Sequence, residues 1–103
     1  MNKNQVKRVL KFSAEWCSPC KVYAQTFDKV SKMEEFKNIE FKAMDIENDE
    51  EAEVLVEKYT IKSVPTTILL DENDDLIYKL IGNVPQKDLV NVINQTLNNG
   101  ETV

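Results

Sequence analysis

The stretch Val9-Leu10-Lys11-Phe12-Ser13-Ala14-Glu15-Trp16-Cys17-Ser18-Pro19-Cys20-Lys21 decides how this chain folds. Its first part belongs to an apolar β-type run within Val6 to Ala14. From Ser18 onward Tyr23, Phe27, Val30 and Met33 fall at helical spacing, and Pro19 suits a first helical turn. A strand therefore feeds directly into a helix, with two cysteines at the junction. Working outward, Ile39 to Met44 reads as a second strand. The acidic run Asp45 to Glu53 opens a second helix, where carboxylates favour the macrodipole, and Ala52, Leu55, Val56 and Tyr59 form its apolar face. Thr66 to Leu70, a polar turn Asp71 to Asp75, and Leu76 to Ile81 read as a β-hairpin that Gly82 ends. A last helix from about Pro85 to Leu97 buries Leu89, Val92, Ile93 and Leu97. The order β-α-β-α-β-β-α predicts an α/β fold. The first two strands are parallel through a right-handed crossover, and the hairpin completes a mixed four-stranded sheet with helices on both faces. The expected organisation is one domain over 1–103, with its core at about 6–97 and a frayed tail at 98–103.

Composition narrows the function. The 103 residues carry 13 basic and 18 acidic side chains, a net charge of −5, and no His. One domain's worth of chain is about 100 to 150 residues. Nucleic acid needs a basic patch, so it is not an expected partner. Without His, histidine-based triads and most catalytic zinc sites drop out. No apolar stretch approaches the roughly 20 residues of a membrane span, and Met1 to Arg8 is polar rather than signal-like. A cytoplasmic, reducing location, no membrane partner and a monomeric state are the expectations.

Cys17 and Cys20 are the only cysteines. A secreted disulfide scaffold needs more bridges over longer loops. Half a zinc site is the other reading, but no further Cys or His exists to complete it, so no metal is expected. A redox pair remains.

Ala14-Glu15-Trp16-Cys17-Ser18-Pro19-Cys20-Lys21, then Ser63-Val64-Pro65-Thr66 at the third strand and Gly82 after the fourth, resemble a thioredoxin in order from about Val6 to Leu97. Thioredoxins usually carry a further strand and helix in front, so the resemblance is to a shortened form. It implies a thioredoxin-like fold and a protein-disulfide reductase with a Cys17/Cys20 dithiol–disulfide cycle and no cofactor. Its implied partners are disulfide-containing proteins as substrates and a thioredoxin reductase for recycling. Pro65 would be cis and face the cysteines, leaving the Val64 backbone to pair with an extended substrate segment. Trp16, Val64 and Gly82 would form an apolar contact surface, with Ser18 and Pro19 in the substrate-binding set. In this family His at position 19 goes with oxidases and isomerases, so Ser18-Pro19 points to the reducing end. Physics supports the division of labour: at a helix mouth, unpaired N–H groups and the dipole stabilise the Cys17 thiolate as nucleophile. Cys20, one turn along and expected to be less exposed, can reach back to Cys17 and resolve a mixed disulfide. Two alternatives stay open, a glutaredoxin-like glutathione-linked reductase and a non-enzymatic partner-binding module.

The chain also departs from the family. The buried Asp usual six residues before the first Cys is Lys11, the Lys usual opposite it is Ala43, and the helix-kinking Pro is Gln25. Lys11 either lays its stem in the core and snorkels its amine to water, or lies beneath the cysteines, paired with Asp45 or Glu15, and modulates them. Asp45, Glu47 and Asp49 alternate like calcium ligands, but Glu50 and Val56 stand where Gly and a bidentate Glu are wanted, so a solvated acidic face is expected.

Overall fold

The computed structural model describes residues 5–97, so the tail expected at 98–103 lies outside the described residues. Strand β1 (Arg8–Ser13) leads into helix α1 (Ser18–Ser31), then strand β2 (Glu40–Asp45), helix α2 (Glu50–Lys58), strands β3 (Thr66–Leu70) and β4 (Leu76–Ile81), and helix α3 (Gln86–Leu97). The sheet order is β2-β1-β3-β4, with β1/β2 parallel and both other pairs antiparallel. This is the expected mixed four-stranded sheet. One element escaped the periodicity: Glu34–Phe36 form a 3-10 turn that buries Phe36. Met33 lies past the end of α1 and caps that turn instead of extending the helix.

Strand alternation divides the core. Val9 and Leu69 face α1 and α3 and pack with Tyr23, Phe27, Val30, Leu89 and Ile93. On the opposite face Leu10, Phe12, Ile68 and Leu70 pack with Met44, Ala52 and Tyr59 beneath α2. Of the residues expected to bury α3, Leu89 and Ile93 are fully covered, while Val92 and Leu97 are partly so.

Polar side chains close the ends. Asp49 caps α2 by accepting from the Glu51 amide at 3.0 Å, and three Glu residues occupy its first turn. At the other end, the Lys79 amine donates to the carbonyls of Tyr59 and Thr60. The hairpin tip is organised by buried Asp71, whose Oδ1 accepts from the amides of Asn73 and Asp75. Arg8 joins that tip to β2, donating a hydrogen bond to Asp74 at 2.8 Å and forming an ion pair with Glu40 at 3.3 Å. No helix among the described residues is long and apolar enough to cross a membrane.

Candidate active site

Cys17 is the N-cap of α1, in extended backbone conformation, and Pro19 follows in the first turn. Its sulfur accepts the Cys20 amide at 3.2 Å, so one of the unpaired N–H groups of the helix start points at the candidate nucleophile. The two cysteines are joined as a disulfide, with a Cα–Cα separation of 5.2 Å. Contrary to the expectation that Cys20 is the less exposed, both are almost covered, Cys17 at 4 % and Cys20 at 3 % exposure, because the disulfide draws the two sulfurs together under Ala14, Ile46 and Val64. Ser18 and Pro19 are exposed beside them.

Ala14, Ile46 and Val64 pack on the sulfurs. The Cys17 sulfur lies 3.7 Å from the Val64 carbonyl, and the Val64–Pro65 bond is cis. Residues 47 apart in sequence thus meet at one sulfur. Gly82 joins from β4, its amide donating to the Pro65 carbonyl at 2.8 Å with φ at +95°. That left-handed backbone favours glycine, and a Cβ built there would meet nothing within 4 Å.

Trp16 is 65 % exposed and its indole donates to Glu47 at 2.9 Å. It forms one wall of a groove of about 210 Å³. Ile46, Val56, Ile61 and Val64 line the rest, with exposed Lys62 and Ser63 alongside. Since Ile46 and Val64 also touch the sulfurs, the groove borders the disulfide. Trp16 and Val64 share this wall as expected, while Gly82 reaches the site through its bond to Pro65. Ile46, Ile61 and Glu47 were not read from the sequence. A signal existed for one of them, since Ile46 is the only large apolar residue in the acidic run Asp45 to Glu53.

Lys11 is buried in mid-strand, between Ala43 of β2 and Thr67 of β3. Its amine stands 5.2 Å over the Phe27 ring. Burial lowers its pKa, and the charge of Asp28 opposes that shift. The acid near it is therefore Asp28 on α1, and neither Asp45 nor Glu15 is the partner. Asp45 is occupied by the Glu47 and Asn48 amides and the Asn48 side chain, and these bonds hold its pKa down. Exposed, small Ala43 stands across from Lys11, and α1 runs without a break through Gln25.

Comparison with known proteins agrees with this geometry. A family model described as Thioredoxin matches residues 1–95. The chain is 32 % identical to the chloroplastic M-type thioredoxin of Spinacia oleracea over 91 % of its own length, but spans only about half, 49 %, of that protein. It is 33 % identical to the thioredoxin of Buchnera aphidicola, covering 84 % of this chain and 76 % of that one. Among solved structures, a malaria parasite thioredoxin-2 superposes with a TM-score of 0.75 at 33 % identity, covering 90 % and 84 % of the two chains. With a thioredoxin family model matching residues 1–95 and a relative 33 % identical over most of both chains, the chain belongs to the thioredoxin family.

Proposed function

We propose that this protein is a thiol–disulfide oxidoreductase that reduces protein disulfides. The observation that carries the reading is the Cys17 sulfur at the mouth of α1, accepting the Cys20 amide and lying beside the Val64 carbonyl. In the dithiol form the helix start stabilises the Cys17 thiolate. That thiolate attacks a substrate disulfide, forming a mixed disulfide and releasing the first substrate thiolate. Cys20 then attacks Cys17, the second substrate sulfur leaves with the bonding electrons, and the protein is left oxidised as in this structure.

The groove beside the disulfide supports an extended polypeptide as substrate. Its Trp16, Ile46, Ile61 and Val64 walls take apolar side chains, and Val64 offers backbone groups for strand-like pairing. Ser18, Pro19, Pro65 and Gly82 frame the approach, and Lys11 modulates the thiols through its charge. The chain acts as a monomer in the cytoplasm, carries no cofactor of its own and is recycled by a thioredoxin reductase. Insulin reduction with dithiothreitol tests the reading. Turnover that vanishes in Cys17→Ser is expected, and absence of turnover in the parent protein would leave a partner-binding module. Recycling by thioredoxin reductase, rather than by glutathione and its reductase, separates it from a glutaredoxin-like enzyme.

A further inference from the structure

The fold serves the two sulfurs unequally. Cys17 has the Cys20 amide as donor. Cys20, the third residue of α1, is 3 % exposed, and among the described residues no hydrogen-bond donor reaches its sulfur. Yet resolution requires Cys20 to attack as a thiolate, and a buried anion is costly unless something donates to it.

One turn further along the same buried face lies Tyr23, fully covered, with its hydroxyl 2.7 Å from the Thr67 hydroxyl. Aromatic side chains in helices lean back over the preceding turn, which here holds Cys20. Thr67 comes from β3, two residues past Pro65, and alternation places it on the face turned toward α1. The hydroxyl pair therefore lies between α1 and the sheet, one helical turn along from Cys20. Two hydroxyls own two protons and share one hydrogen bond. Among the described residues the second proton has no acceptor. Burial raises the Tyr23 pKa above its ordinary value near 10, so the phenol remains a donor while thiols titrate.

We propose that in the reduced protein Thr67 donates to the Tyr23 oxygen and the Tyr23 O–H donates to the Cys20 sulfur, stabilising the resolving thiolate. This rests on the dithiol reading above and deepens it. In resolution the Cys20 sulfur bonds to Cys17 while the bond from Cys17 to the substrate sulfur breaks. The substrate sulfur leaves with the electron pair and takes up the proton that Cys20 gave up, so no outside base or oxidant is needed. The phenol keeps its own proton throughout. The charged groups at this level are Lys11 from β1 and, beyond it, Asp28 on α1, while Ala43 of β2 and Thr67 of β3 do not titrate.

Tyr23→Phe keeps the ring and removes only the hydroxyl. NMR of isotope-labelled cysteine side chains follows each thiol's titration without any substrate. The Cys20 thiolate fraction at a given pH below its pKa should fall roughly ten- to hundredfold, the size expected for one hydrogen bond to a charge, with Cys17 moving far less. Thr67→Val should give part of this loss and Thr67→Ser should restore the parent curve. These two variants decide the matter alone if Tyr23→Phe does not fold. An unchanged Cys20 curve overturns the proposal and leaves the hydroxyl pair as a packing bond felt only in Tm. If the Cys20 curve shifts as expected but insulin is not reduced, the hydrogen bond stands and the reductase reading fails.

Discussion

The amide of Cys20 donates to the sulfur of Cys17 across 3.2 Å, so the residue proposed to resolve the mixed disulfide also supplies a hydrogen bond to the sulfur proposed as nucleophile. Because this donor lies in the backbone, side-chain substitution at position 20 keeps it. Cys20→Ser should therefore retain a reactive Cys17 and accumulate mixed disulfides with substrates. In the reduced parent, Cys17 should alkylate roughly tenfold or more faster than Cys20 at neutral pH, as a pKa lowered by a helix start implies. Mass spectrometry of the alkylated peptides checks this, and equal rates would remove the assignment of roles.

Gly82 holds a φ of +95°, and no neighbour lies within 4 Å of an added Cβ. Gly82→Ala should therefore cost only backbone strain, about 1 to 2 kcal/mol in urea unfolding. If Gly82 gives a substrate strand close access, KM for insulin should rise while Cys17 alkylation stays unchanged. An unaltered KM would reduce Gly82 to a turn residue.

The Trp16–Glu47 bond links the residue beside the cysteines to the loop after β2. It is exposed, so Glu47→Ala should lower stability by under about 1 kcal/mol. Its effect should appear in the groove, where Trp16 loses its anchor. Trp16 is the only tryptophan, so fluorescence anisotropy reports it directly. Glu47→Ala should lower the anisotropy and raise KM, while Glu47→Gln, which keeps an acceptor oxygen, should behave as the parent does. Equal anisotropy in all three proteins would count against the anchor.

Local signals carried most of the fold. Thr66–Leu70 and Leu76–Ile81 match the sequence reading residue for residue, because β-branched and apolar runs there are bounded by Pro65, the acidic turn and Gly82. The strand-to-helix junction at Cys17 was equally legible. What stayed hidden depends on contacts between distant residues. The Trp16–Glu47 bond spans 31 positions, and the meeting of Tyr23 with Thr67 spans 44. Neither has a periodicity to announce it. Lys11 shows the same limit: its place in a buried strand was readable, but the direction of a long flexible side chain was not, and Asp28 was never a candidate. The 3-10 turn at Glu34–Phe36 is shorter than any helical repeat can register.

Lys11 yields the last prediction, in which stability and reactivity separate. Burial lowers its pKa from the usual 10.5, with Asp28 only partly opposing the shift. Below the lowered folded value the fold holds a charged amine at a cost. Between that value and 10.5 the unfolded chain binds the proton and the folded chain does not, so stability rises with pH across this window. Above 10.5 the amine is neutral in both states and the cost is gone. Met keeps a flexible stem against Phe27 and carries no charge. Lys11→Met should therefore be more stable than the parent at pH 7, with the gap closing above pH 10.5 in urea unfolding. A variant less stable at pH 7 would mean that the amine over the Phe27 ring contributes more than its burial costs. For reactivity, the charge sits over the Phe27 ring and is offset by Asp28, so its reach to the thiols is modest. The Cys17 thiolate fraction in Lys11→Met should fall roughly two- to threefold, the scale of a unit charge acting through a screened medium, and resolution by Cys20 should slow in step. A stabilised variant with an unchanged alkylation profile would confine Lys11 to packing, its stem in the core and its amine emerging beside Asp28.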